Sequence, residues 1–280
     1  MPELPEVETV VRELRPRLVG RRIVAVRASR QRLRLPWSKS WNAVVANRRV
    51  LAVHRRGKWI LVALEEERFL VVHLGMTGQL TVMPATEPPQ SHTHLIFPLD
   101  DGAQQLRFRD IRRFGSARVF FEPARLQQFF DDTKLGPEPF ELKPGDWQDS
   151  LARTHRCLKA VLLDQRVVAG VGNIYADESL FEARLHPARI AETVRKDEAE
   201  RLRCAIVAVL NRAIAKRGSS IRNYVGGSGL KGDYQDEFRV YGRTDEPCAK
   251  CGVPISCIRL AGRSTHFCPR CQKAKLETRN

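Results

Sequence analysis

VLAVHRRGKWILVALEEERFLVVHL, residues 50–74, contains three short runs dense in Val, Leu and Ile: VLAVH (50–54), WILVAL (59–64) and FLVVHL (69–74). Gly57 and a charged stretch separate them, leaving no room for a helix between one run and the next. Such runs read as antiparallel strands joined by tight turns. The pattern continues outward, upstream in IVAVRA (23–28) and downstream in HLIFPL (94–99), LRFRD (106–110) and ARVFF (117–121). Several short strands without intervening helices predict an antiparallel sandwich or barrel.

Helices flank this region. Residues 5–14 place Leu4, Val7, Val11 and Leu14 on one face, with Pro5 suited to a first helical position and acids in the first turn. Residues 131–147, DDTKLGPEPFELKPGDW, have Gly and Pro but no period, and read as a connection. Beyond it, helices are expected over about 156–165, from Asn173 to before Pro187, and over about 194–217, closed by Gly218. A Gly-rich loop fills 218–235 before a cysteine-rich end. The fold class is α+β.

The 280 residues carry a formal charge of +16, which favours a polyanion, with nucleic acid ahead of an acidic membrane surface. No apolar run approaches the ~20 residues of a membrane span, and the acidic start is unlike a secretory signal, so the expectation is a cytoplasmic protein without a membrane partner. Of the seven cysteines, Cys248 and Cys251 form one CxxC pair, Cys268 and Cys271 a second, with sixteen residues between. This is the spacing of a tetrahedral four-thiolate zinc site on a small hairpin, and no ligand is missing, so one structural Zn2+ is expected. Cys204, among Ile206, Val207 and Leu210, reads as a buried thiol.

The start of the chain, MPELPEVE, suggests chemistry. Removal of Met1 would expose the secondary amine of Pro2, and an α-amino group titrates near ~8, so part of it is nucleophilic at neutral pH. Glu3 stands beside it as a carboxylate able to move protons, and an amine with an acid are the parts of Schiff-base catalysis. Lys58 enters a strand behind two arginines, and FRDIRRFG groups Arg109, Arg112 and Arg113 with Phe114 at a turn. Met76 in HLGMTG offers a second apolar tip, and basic side chains beside apolar ones suit gripping a duplex and prising a base step apart. In GVGNIYA, Asn173 follows a glycine turn at a helix start, where N–H groups favour phosphate.

Taken together, PELPEVE, RRGKWIL, HLGMTG, RRFG, LGPEP, LLDQRVVAGVGNIYADESLF, VYGR and the finger ending CPRCQK resemble the formamidopyrimidine-DNA glycosylase family of bacterial base-excision enzymes over essentially the whole chain. The resemblance implies a bifunctional glycosylase and AP lyase that removes oxidised purines, 8-oxoguanine and formamidopyrimidines, from damaged double-stranded DNA by β,δ-elimination. It implies Pro2 as nucleophile, Glu3 as acid/base, Lys58 assisting β-elimination and Arg263 assisting δ-elimination. Met76, Arg112 and Phe114 would fill the gap of the flipped base, with Arg112 facing the orphaned cytosine, and His92, Lys159 and Asn173 would hold the backbone. The implied layout is a catalytic β-sandwich over 1–132, a linker over 133–147, a helix–two-turn–helix domain with a lesion loop over 148–235, and a zinc finger over 236–280. The enzyme would act as a monomer on the bacterial nucleoid.

One departure stands out. A basic residue usual before Lys159 is replaced by Thr154, with arginines at 153 and 156, which leaves open which arginine, if either, contacts DNA. Two other readings compete: an endonuclease VIII-like glycosylase for oxidised pyrimidines, and a zinc-finger DNA-binding protein without catalysis.

Overall fold

A computed structural model describes residues 2–31, 33–220, 226–227 and 230–274. The chain divides into two compact units, Met1–Lys134 with Ile214–Gln235, and Leu135–Ala213 with Asp236–Asn280.

The first unit opens with helix α1 (Leu4–Leu18). Its strands are β1 (Arg22–Ile23), β2 (Arg27–Ala28), β3 (Arg48–Arg56), β4 (Trp59–Leu64), β5 (Arg68–His73), β6 (Gly78–Pro84), β7 (Thr93–Pro98), β8 (Gln104–Asp110) and β9 (Ser116–Phe120). Helices α2 (Ser40–Val45) and α3 (Pro123–Asp132) are short additions. Two antiparallel sheets form, ordered β1-β3-β4-β5-β9 and β2-β7-β8-β6. The period of two explains the faces: Ile60, Val62 and Leu64 of β4 turn inward, as do Leu80 and Val82 of β6. These residues share one core with Leu70, Val72, Leu95, Phe97, Leu106 and Phe108, closed by Val7, Val11 and Leu14 of α1. Each fully buried Leu or Val stabilises the unit by ~1.5–3 kcal/mol relative to exposure.

The expected strands at 50–54, 59–64, 69–74, 94–99, 106–110 and 117–121 are present within a residue or two. The run at 23–28 is not one strand: β1 pairs with β3 and β2 with β7, so the chain crosses from one sheet to the other within six residues. Strand β6 escapes an apolar-run reading because it alternates Leu80 and Val82 with Gln79, Thr81 and Met83. Helix α1 passes the expected stop, because Pro16 falls in its last turn and removes only one bond before Val19 N–H closes the helix on Arg15 O at 3.0 Å.

The second unit holds α4 (Pro144–Ala152), α5 (Leu158–Leu163), α6 (Asn173–Glu182), most of α7 (Lys196–Ala215) and the hairpin β10 (Ser256–Leu260) and β11 (Arg263–Phe267). Residues 174–181 of α6 are all buried, as expected of a helix surrounded on every side. Helix α4 lay inside the segment read as a connection and its continuation. Cys204 is exposed rather than buried, since α7 turns Leu202, Ile206, Val209 and Leu210 inward and Cys204 out toward Glu200. Of the expected lesion loop, residues 225, 228 and 229 lie outside the described residues, as do 221–224 just before it.

Candidate functional site

In the first unit the site grows from the start of α1. Glu3 is the N-cap, and the Glu6 carboxylate accepts its N–H at 2.8 Å. The other Glu6 oxygen accepts the N–H of Ser219 at 2.8 Å and its hydroxyl at 3.2 Å. Pro2, Glu3 and Glu6 are buried. Helix α1 lies against β3 and β4, and Glu8 joins them through an ion pair to Arg55 at 3.0 Å. Two residues after Arg55, Gly57 (φ +54°) and Lys58 form the two-residue turn between paired Arg56 and Trp59. Glycine at the first central position lets this turn follow the sheet twist. Lys58 is buried at its second position.

Across the sheet, Trp59 pairs with His73, their rings meeting edge to face at 4.7 Å. The His73 ring is pulled down to about 4, first by burial and then by the cations Lys58 and Arg34. Its Nδ1 accepts the Gly75 N–H at 3.0 Å, so the neutral ring carries its proton on Nε2. His73 was not singled out from sequence. The available signal was its place at the end of a strand, directly before HLGMTG turns.

Two loops emerge beside each other where β6 begins and β8 ends, because Gly78 is paired with Asp110. One carries half-buried Met76; the other carries exposed Arg112 and Phe114, with the Arg112 guanidinium 4.6 Å from the Phe114 ring centre. His92, exposed and directly before β7, has φ +66°, and its carbonyl accepts the Asp110 N–H at 3.0 Å.

In the second unit a separate group converges on the N-terminus of α6. Lys159 is fully buried; its ammonium reaches the Asn173 carbonyl at 2.9 Å and Asp177 Oδ1 at 2.5 Å. Asp177 Oδ2 accepts the N–H of His266 at 2.9 Å and lies 3.1 Å from its Nδ1. The Asn173 amide donates to Ser264 O at 3.0 Å. Lys159, Asn173 and the strand bearing exposed Arg263 are thereby brought together, with the buried Lys159 ammonium directed at the Asn173 carbonyl and Asp177. Arg156 is committed to Asp164 (2.8 Å) and Thr154 (3.2 Å), and Arg166 and Arg156 hold the Asp164 carboxyl well below the usual range. Arg153 is exposed.

The finger is a hairpin, as the spacing predicts, closed by Ala261 and Gly262, both at positive φ. The four expected ligand atoms of Cys248, Cys251, Cys268 and Cys271 lie within 4.8 Å of one another. The N–H groups of Lys250 and Cys271 point at Cys248 and Cys268 sulfurs, both at 3.4 Å. Burial and then the neighbouring thiols push Cys271 up to about 12, so a bare cluster resists full ionisation and a divalent cation relieves the conflict. Thiolates in this number and arrangement fit one tetrahedral zinc, which would be structural because all four positions are filled by protein.

Fold and site define a protein with an N-terminal antiparallel β unit, a helical unit and a zinc hairpin. Family models described as the formamidopyrimidine-DNA glycosylase N-terminal domain, its H2TH domain, and a zinc finger found in FPG and IleRS match residues 1–117, 135–225 and 245–274. The formamidopyrimidine-DNA glycosylase of Heliobacterium modesticaldum is 44% identical over 280 residues, covering 98% of this chain and 100% of that protein. A complex of Lactococcus lactis Fpg with DNA containing an abasic site superposes with a TM-score of 0.90 at 34% identity, covering 97% of this chain and 100% of the other. MutM in complex with DNA containing carbocyclic 8-oxo-G gives a TM-score of 0.89 at 34% identity, covering 98% and 100%. The chain belongs to the formamidopyrimidine-DNA glycosylase family.

Among the described residues, no helix is long and apolar enough to cross a membrane.

Proposed function

We propose that this chain is a base-excision-repair DNA glycosylase and AP lyase that removes oxidised purines from damaged duplex DNA. The observation that carries this reading is the buried start of α1, where Pro2 directly precedes Glu3, whose N–H is held by Glu6, on a helix packed against the strands flanking buried Lys58. The relatives named above, solved on abasic and 8-oxo-G DNA, support the substrate class.

In this reading the Pro2 nitrogen bonds to C1′ as the glycosidic bond breaks, and the base departs with the bonding pair and the amine proton. Glu3 delivers a proton to the ring oxygen, and the sugar opens to an iminium. That cation acidifies C2′; loss of a C2′ proton expels the 3′-phosphate, assisted by Lys58. A second elimination expels the 5′-phosphate, assisted by Arg263. Met76, Arg112 and Phe114 occupy the gap of the extruded base, whose unstacking costs a few kcal/mol. His92 and the Lys159-supported Asn173 turn hold the backbone. Arg153 takes the place left by Thr154, because its own pair with Asp149 is long and exposed at 3.6 Å whereas Arg156 is held by Asp164 at 2.8 Å. The working layout is a catalytic domain over 1–132, a linker over 133–147, a DNA-binding domain over 148–235 and a finger over 236–280. The protein acts as a monomer in the bacterial cytoplasm on nucleoid DNA.

Borohydride trapping on a duplex with 8-oxoguanine opposite cytosine tests the reading. Protein with Met1 removed is expected to form a covalent adduct, and Pro2→Gly to form far less. No adduct from correctly processed protein would point to a DNA-binding role alone. Preference for a thymine-glycol duplex would point to the pyrimidine-directed chemistry.

A further inference from the structure

Asp110 ends β8 with its side chain fully buried. Its Oδ1 accepts the Thr77 hydroxyl at 2.5 Å and lies 3.3 Å from the Arg112 N–H, which also reaches Thr77 Oγ1 at 3.1 Å. Its Oδ2 accepts the Gly115 N–H at 2.7 Å. One carboxylate thus takes donors from the loop of Met76 and from both ends of the loop of Arg112 and Phe114. Its backbone is held as well, with the carbonyl 2.9 Å from His94 Nε2.

The loops have little slack. A Cβ on Gly75 (φ +62°) would lie 2.4 Å from Gly115 N and 2.5 Å from the Phe114 carbonyl carbon. A Cβ on Gly115 would lie 2.8 Å from His73 O. The bases of the loops are therefore in backbone contact while Arg112 and Phe114 project outward. Surface loops held by few buried contacts open locally at small cost, and ordering them on binding consumes affinity. A buried carboxylate with every near donor taken from the two loops opposes both.

We propose that Asp110 is a positioning residue that locks the Met76 loop and the Arg112–Phe114 loop into one preformed wedge, so that base extrusion and recognition of the opposite base depend on it while the amine chemistry does not. The inference rests on the reading of Met76, Arg112 and Phe114 given above. Asp110→Asn puts an N–H against either Gly115 or the Thr77–Arg112 pair, and Thr77→Val cuts only the hydroxyl bridge at nearly constant volume.

Three substrates separate the outcomes: 8-oxoguanine opposite cytosine, 8-oxoguanine opposite adenine, and a single-stranded abasic oligonucleotide, which has no stack to open. Both variants are expected to lose about tenfold or more in excision opposite cytosine, the loss that follows from one buried charged hydrogen bond. Their cytosine-over-adenine preference should fall toward one, while borohydride trapping on the single strand stays within about twofold of the parent protein. Unchanged preference in a folded variant overturns the proposal, and so does an equal loss on all three substrates. If Asp110→Asn does not fold, Thr77→Val decides alone. Failure of the parent protein to excise would instead strike the proposed function, and the wedge with it.

Discussion

The carboxylate of Glu6 accepts the main-chain N–H of Glu3 at 2.8 Å, one residue after the amine proposed to attack DNA. Its second oxygen is occupied by Ser219, so a distant segment of the same unit also fixes the start of the chain. Glu6→Ala leaves two buried N–H groups without an acceptor, and the expected loss is about 1–3 kcal/mol per orphaned group. Denaturant unfolding should register that loss, and trapping at an abasic site should fall with it. Trapping at the parent rate would show that the amine needs no such support.

Lys159 and Asp177 form an ion pair buried on both sides. Lys159→Met should destabilise the protein by about 3–5 kcal/mol, because Asp177 is left charged and partly unpaired, and adding Asp177→Asn should restore part of it. Because the Lys159 ammonium is buried, the slope of log affinity against log salt should match the parent protein. A slope reduced by about one phosphate would reveal a direct contact after all.

One zinc ion per chain is expected by elemental analysis, and chelation or Cys268→Ala should release it. Without the ion the β10–β11 hairpin loses its base, and Arg259 and Arg263 lose their fixed positions. DNA affinity should fall by about tenfold or more, while Lys58 and the start of α1 stay folded. Filter binding and the thermal transition check both parts; DNA affinity that survives zinc loss would contradict the assignment.

His73 makes stability depend on pH. Its folded value, about 4, lies below the 6.5 of the free ring, so the unfolded chain binds the proton more readily between these limits. Stability therefore rises with pH through that window and is lost as pH falls from about 6.5 toward 4. The loss from this ring is at most about 3 kcal/mol. Comparing His73→Asn with the parent from pH 7 to 5 isolates it, because half-buried His186, also shifted downward, is common to both. The parent melting temperature should fall more steeply; parallel curves would remove His73 as the cause.

Sequence legibility followed the range of the forces. The strands around Lys58 and the zinc hairpin were legible because period-two burial and CxxC spacing are local signals. Cys204 was misread because its neighbours in sequence, Ile206 and Leu210, occupy another face of α7. The break between β1 and β2 was invisible because IVAVRA has strand composition throughout, and only the pairing partners on two sheets separate its ends. The candidate nucleophile and wedge residues could be named through resemblance, but their supports could not. Glu6 meets Ser219 and Asp177 meets His266 only after folding, across chain separations that no motif spans.

The two-residue turn at Ala261 and Gly262 sets a rule for how the finger can vary. Leu260 pairs with Arg263 directly across it, so Arg263 is the first paired residue after the tip. Adding one residue to each strand behind the tip would advance Arg263 by about 3.3 Å and turn it to the opposite face of the hairpin. Two residues per strand are needed to restore its facing, by which point it has moved by about 7 Å. The reach of this arm is thus quantised: drift in hairpin length cannot adjust the grip in small steps, and any finer adjustment must come from the side chain at position 263 itself.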